Sequence, residues 1–286
     1  MGTASWVDTL VIAPGIHLHQ KSAELANAGG ELPPTAALTT GYVFRVENQA
    51  MVGWLQSVGK PGHLVQVFVE PAKGFSIFAS GIPATVSYLL APIVTIVAVI
   101  LLGIYKEWWT MGIIFVLMFA RLINVAVIKR RTRVGWHGAP EPDVKGDLLI
   151  LLSQDRWVRM RGMVDDLKAV TSGQWLHDMY ASESFACALA TLLVYLTAAL
   201  SANATTLGNV ILMALLFAEV GLLGLSNKFV LGIQLHGKIV KQIGKPKKYT
   251  RRLDLANELI EETGRRDWAI GLGMVQADTK PTKVVL

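Results

Sequence analysis

Apolar residues dominate four long stretches of this chain, and polar residues gather between them. The stretches are 84–104, 108–128, 183–200 and 206–226. A helix rises ~1.5 Å per residue, so about twenty residues cover the ~30 Å hydrocarbon core of a bilayer. Each stretch therefore predicts a membrane-spanning helix. The second ends abruptly in Lys129, Arg130, Arg131, Thr132 and Arg133, a basic stop of the kind that marks a cytoplasmic flank. Only Tyr105, Lys106 and Glu107 separate the first two stretches, which predicts a tight turn and an antiparallel hairpin. Residues 201–205 join the last two in the same way. Pro92 predicts a kink in the first span, and Ser87, Ala91 and Thr95 form a small-residue stripe suited to close helix contact.

Outside these stretches the period changes. Val65, Val67 and Val69 alternate with Gln66, Phe68 and Glu70 after a Lys60-Pro61-Gly62 turn, which predicts a half-buried strand over 64–70. Residues 42–46 predict a second, shorter strand, and the Gly- and Pro-rich 21–41 a loop. The run 148–152 is either a buried strand or the start of a helix. Trp157, Met160, Val164 and Leu167 recur at spacings of three and four, so an amphipathic helix is expected over 153–172 with Ser153 as its N-cap. Leu253, Ala256, Leu259 and Ile260 predict a short amphipathic helix ending at Gly264. The expected fold class is a membrane protein, mostly α. It is a four-span helical bundle with a small cytosolic body containing a few short strands. Its parts are a cytosolic cap with short strands (1–75), a first transmembrane hairpin (76–128) and a cytosolic segment with an amphipathic helix (129–181). A second transmembrane hairpin (182–226) and a basic cytosolic tail (227–286) complete it.

Composition agrees with this division. Of 286 residues, 52% are hydrophobic and only 17% charged, and the charges cluster at the ends and in one central segment. The net charge of +6 could point to nucleic acid, but the surplus lies beside the apolar runs, where positive-inside topology places it. No nucleic-acid partner is therefore expected. With the basic stop and the Lys-rich tail in the cytosol, both termini are cytosolic and the two tight loops face the other side, in the plasma membrane or an endomembrane. The single cysteine, Cys187, rules out an intrachain disulfide. The N-terminus lacks a basic n-region before a long apolar core, so no signal peptide is expected, and Trp6 breaks the myristoylation pattern after Gly2.

Charges inside the spans are the most informative chemistry. Arg121 and Glu219 each lie about thirteen residues from the outer end of helices that run in the same direction, which places them at similar depth. Pairing them would offset part of the cost of burying each, so a buried Arg121–Glu219 pair is expected. Asn124 and Ser226 share their faces as further intramembrane polar residues. His177 and Asp178 precede the third span near Glu183 and form a second acid–base candidate. Asp165 and Asp166 are like paired carboxylates that bind magnesium and diphosphate, but Lys168, Ala169 and Val170 break that pattern and favour a solvated helix face. In the tail, Lys241, Lys245, Lys247, Lys248, Arg251 and Arg252 follow Ile239 and Val240, as a juxtamembrane lipid-binding segment would. His17 and His19 lie two apart, yet no metal-ligand spacing such as HExxH occurs, so no metal site is expected. No phosphate-binding or nucleophile-elbow motif occurs in a suitable context, and no cofactor is implied.

The run LLSQDRWVRMRGMVDDLKAVTSGQWL (151–176), the last two spans and RRLDLANELIEETGRRDWAIGLGM (251–274) resemble a group of uncharacterised integral membrane proteins from filamentous fungi. The resemblance covers the C-terminal half and implies a shared fold, with no activity to carry over. Two function classes follow from the residues. One is a non-enzymatic, oligomeric transport or channel-like protein or scaffold, whose partners are anionic lipids at the cytosolic face and further copies of the chain. The other is a membrane-embedded enzyme acting on a lipid or terpenoid, with Glu219 as acid and Arg121, His177, Asp165 or Asp166 assisting.

Overall fold

The computed structural model describes residues 5–13, 32–72, 81–132, 138–173, 176–229 and 232–276. In chain order a 3-10 turn (Trp6–Leu10) is followed by β1 (Pro34–Ala37), β2 (Val43–Arg45), α1 (Gln49–Val58) and β3 (His63–Pro71). Two long helices, α2 (Ile82–Ile104) and α3 (Trp108–Arg131), precede β4 (Lys145–Leu152), β5 (Arg156–Met163) and α4 (Val164–Thr171). Then come α5 (Ala181–Leu200), α6 (Thr206–Lys228), β6 (Gly232–Leu235), β7 (Lys238–Lys248), α7 (Arg252–Thr263) and α8 (Asp267–Gly271). The chain forms two compact units. Among the described residues, 5–13, 81–132 and 176–229 belong to a helical unit, with β6, and 32–71, 138–173 and 240–276 to a β-rich body.

In the helical unit, α2, α3, α5 and α6 are long and apolar enough to cross a membrane. Their ends fall where the sequence places them. Lys106 takes a positive φ of 58° in the tight turn between α2 and α3. Pro83 lies in the first turn of α2, where its missing N–H costs nothing. The helices meet along heptad seams. Ala84, Tyr88, Ala91, Thr95, Ala98 and Leu102 are buried on α2, and Gly208, Leu212, Leu215, Glu219, Leu223 and Ser226 on α6. Alternating steps of three and four residues keep such a stripe on one face. α2 packs mainly on α6, and α3 on α5. Gly208 allows close approach, since a Cβ there would come within 2.1 Å of the Thr110 hydroxyl.

The body is built on a sheet with strand order β2-β1-β4-β5-β3-β7. β4 and β5 form an antiparallel hairpin with Leu152 opposite Arg156. The turn at Ser153, Gln154 and Asp155 holds Gln154 and Asp155 at φ of 60° and 50°. β3 lies parallel to β5, with Val65 opposite Val158. A parallel pair needs a crossover connection. Here that connection contains both α2 and α3. Leu149 and Leu151 join Trp157, Leu255, Leu259 and Trp268 in one core layer. Leu148, Ile150 and Leu152 on the opposite face are buried as well. α4 packs on β3, β4 and β5, over a glycine pair, Gly146 opposite Gly162. A Cβ on Gly146 would come within 2.6 Å of Leu167. A strand covered on both faces has a continuous apolar run, which explains LLILL in β4.

Several expectations are corrected here. The region 153–172 is a turn, a strand and a helix of eight residues. Trp157 and Met160 belong to β5, and only Val164 and Leu167 are helical. Ser153 is a turn residue rather than an N-cap. Within the expected basic tail, 238–248 is strand β7, which the sequence reading did not place, and 252–263 is α7, where it expected a short amphipathic helix. Gly264 does end α7, at φ 67°. The body is not small with a few short strands, as β3 has 9 residues and β7 has 11. Residues 5–13 belong with the helical unit and not with the cap expected over 1–75. His17 and His19 lie outside the described residues.

Candidate functional site

The helical unit encloses a polar centre built around the N-terminal segment. Ser5 and Asp8 form a capping box, in which Asp8 accepts from the Ser5 N–H at 2.7 Å and Ser5 Oγ accepts from Val7 N at 3.3 Å. This starts the 3-10 turn, but so short a helix leaves its last carbonyls and the following N–H groups without partners of their own. The long helices supply them. The Thr95 hydroxyl on α2, with one proton shared between two acceptors, lies 2.7 Å from the Leu10 carbonyl. Arg121 Nε on α3 donates to the Asp8 carbonyl at 3.3 Å. Ala13 N donates to Glu219 Oε2 on α6 at 2.7 Å, and Glu219 Oε1 lies 2.6 Å from Thr95 Oγ1. The Tyr88 hydroxyl donates to the Asp8 carboxylate. Ser226 closes the seam by donating to the Ala84 carbonyl at 2.9 Å. The Lys129 ammonium sits 4.1 Å from the centre of the Trp6 ring, a cation–π contact.

Arg121 and Glu219 are both buried, at 6% and 0% exposure. They do not form the direct pair expected from the sequence, because no ion pair among the described residues joins them. The N-terminal segment takes its place, with Arg121 on its carbonyl side and Glu219 on an N–H. The sequence signal for this segment is the Ser5-x-x-Asp8 capping box followed by the apolar run 9–13, which falls within the cap expected over 1–75.

Beside this centre lies a cleft of about 500 Å³. Arg121, Asn124 and Ile128 line it from α3, Ala190, Thr191 and Tyr195 from α5, and Ile12 and Ala13 from the N-terminal segment. Among the described residues, Arg121 is the only charged one in its wall.

The other candidates are dispersed. His177 is exposed, and it pairs with Arg131 through its backbone, donating its N–H to the Arg131 carbonyl at 3.1 Å while its own carbonyl accepts from Arg131 Nε at 2.7 Å. Glu183 accepts from Tyr180 N at 3.1 Å and lies 3.7 Å from Arg130. Asp165 and Asp166 start α4 in the body, a unit other than that of Glu219, and Asp165 accepts from Glu141 N at 2.8 Å. Among the described residues no group of three or more His, Cys, Asp or Glu is placed to hold a metal ion. Of the basic residues on and after β7, Lys247 pairs with Glu258 at 2.5 Å and Arg252 with Asp155 at 2.6 Å. Lys241, Lys245, Lys248 and Arg251 are exposed.

The body holds one charge network that sequence reasoning missed. Arg159 on β5, 5% exposed, donates to Asp147 on β4 at 2.6 Å and to Glu262 on α7 at 2.6 Å. Arg161 adds weaker contacts of 3.3 Å to the same two carboxylates. Arg159 holds the Glu262 carboxyl below the usual carboxylate range by donating hydrogen bonds to it.

None of the protein-family models, curated proteins or solved structures compared with this chain matches it.

Proposed function

We propose that the chain is a non-enzymatic membrane component, a scaffold in which four membrane-spanning helices hold a β-rich body. One observation carries this reading: the charged and hydroxyl side chains inside the helical unit are engaged in holding residues 8–13. A pore needs those groups along an open path, whereas here a backbone segment occupies the position. An acid at Glu219 needs access to substrate, whereas both of its oxygens are engaged and its side chain is buried. The basic end of α3 argues for a cytosolic body, by the positive-inside rule. The exposed Lys241, Lys245 and Lys248 would then face anionic lipid.

The full chain purified in detergent and reconstituted into liposomes tests this. A proton gradient read by an internal dye should decay no faster than in protein-free vesicles, and the chain should stay with the vesicles through an alkaline carbonate wash. Flux that Glu219→Gln abolishes would overturn the scaffold in favour of transport.

A further inference from the structure

The arginine in the cleft wall is only partly used. Its Nε reaches the Asp8 carbonyl at 3.3 Å, a long hydrogen bond. No carboxylate lies within ion-pair distance of it among the described residues. The two acids near it face elsewhere. Asp8 accepts from Ser5 N and the Tyr88 hydroxyl, and Glu219 is held by Ala13 N and Thr95. A guanidinium carries five N–H donors in a planar fork, and four of them sit on its terminal nitrogens. Asp8 and Glu219 offset part of its charge from a distance, but buried guanidinium donors without acceptors are costly unless something satisfies them.

The cleft shows what could. Its wall is otherwise apolar or uncharged, with Asn124 one turn from Arg121 and Thr191 facing it from α5. Its volume of about 500 Å³ falls in the range of small-molecule sites, roughly 300–1,000 Å³. It lies between two helices apolar enough to cross a membrane. One cation in an apolar wall matches one negative charge on an apolar chain.

We propose that this cleft binds a single-chain anionic amphiphile of the long-chain fatty-acid class. The carboxylate sits on the terminal nitrogens of Arg121, with Asn124 as a second donor, and the acyl chain lies along Leu117, Ala120 and Val194. The site goes beyond the scaffold reading and does not depend on it, since a scaffold without a lipid site still anchors the body.

The test is retention of labelled oleate by the full chain in detergent, with unlabelled oleate, oleyl alcohol and inorganic phosphate as competitors. Oleate should compete, and the other two should need at least about a tenfold higher concentration. Oleyl alcohol tests whether charge is read, and phosphate tests whether the chain is needed. Arg121→Gln should weaken retention at least about tenfold, and Arg121→Lys less, because the charge remains. Thr191→Trp fills the cleft from an exposed position and leaves Arg121 in place, so it decides the matter even where Arg121→Gln fails to fold. It should abolish retention while the protein elutes as the wild type does. Equal competition by oleyl alcohol, or undiminished retention by Thr191→Trp, overturns the proposal.

Discussion

Two buried arginines, one in each unit, are held in opposite ways. Arg159 in the body donates to two carboxylates at 2.6 Å, Asp147 on the neighbouring strand and Glu262 on α7. Among the described residues, Arg121 in the helical unit has one hydrogen-bond partner, a backbone carbonyl at 3.3 Å, and a cleft beside it. They are almost equally buried. Desolvation therefore costs both, but only Arg159 recovers it through bidentate partners. The contrast separates a charge that the fold uses as a fastener from one that it leaves open on one side.

The largest effect should come from breaking the fastener. Arg159→Met leaves Asp147 with only the longer 3.3 Å contact to Arg161, and removing one member of a buried ion cluster costs on the order of 3–5 kcal/mol. Glu262 is 49% exposed and can rehydrate, which puts the expected loss near the lower end, about 3 kcal/mol. Chemical denaturation of the full chain, followed through near-ultraviolet dichroism, would read it. A loss below ~1 kcal/mol would mean that α7 is held mainly by the apolar contacts of Leu255, Leu259 and Trp268.

The two arginines also differ in how far the sequence exposed them. Arg121 stood out, because a charge inside twenty apolar residues breaks a strong and long-range pattern. The same signal placed all four long helices, including the tight turn at Lys106. Arg159 was hidden by a short pattern. Trp157, Met160, Val164 and Leu167 fit a helix of period 3.6, and Trp157, Val158 and Met160 fit a strand buried on both faces equally well. Only pairing with β3 and β4 decides between them, and that information is not local. β7 was obscured for another reason. Its residues 241–245 are exposed on both faces, so neither alternation nor a continuous apolar run marks them as a strand. At the candidate site, the acid and the arginine were legible, but the backbone segment between them was not. Nothing in the spacing of Arg121 and Glu219 says that residues 8–13 lie there.

A smaller effect should appear with pH. Arg159 depresses the folded-state titration of Glu262, so the folded carboxyl gives up its proton more readily than the unfolded one. The contribution is therefore fully present above the ordinary carboxylate pKa, about 4.3, and is lost as pH falls through the lower folded value. Glu258 behaves the same way beside Lys247, so the wild type carries both terms. Arg159→Met removes the larger part of the first, leaving the weaker pull of Arg161 and Lys247, and does not touch the second. Unfolding midpoints measured at about pH 6 and about pH 3.5 should fall more in the wild type than in Arg159→Met, and parallel falls would remove Glu262 from the account.

The smallest effect is expected where the burial is just as deep. Arg121→Met gives up one long hydrogen bond to the Asp8 carbonyl, worth about 1 kcal/mol, and leaves that carbonyl short of a donor. Against this, it removes a desolvated cation with no carboxylate in contact among the described residues, and methionine fills much of the same volume beside the cleft. The two terms oppose each other, so the unfolding midpoint in lipid-free detergent should change by less than ~1 kcal/mol in either direction. Added oleate should then separate the proteins, because a ligand that binds only the folded wild type stabilises it by mass action and leaves the variant where it was. A loss of several kcal/mol without any lipid would instead make Arg121 a fastener like Arg159, and the difference between the two units would disappear.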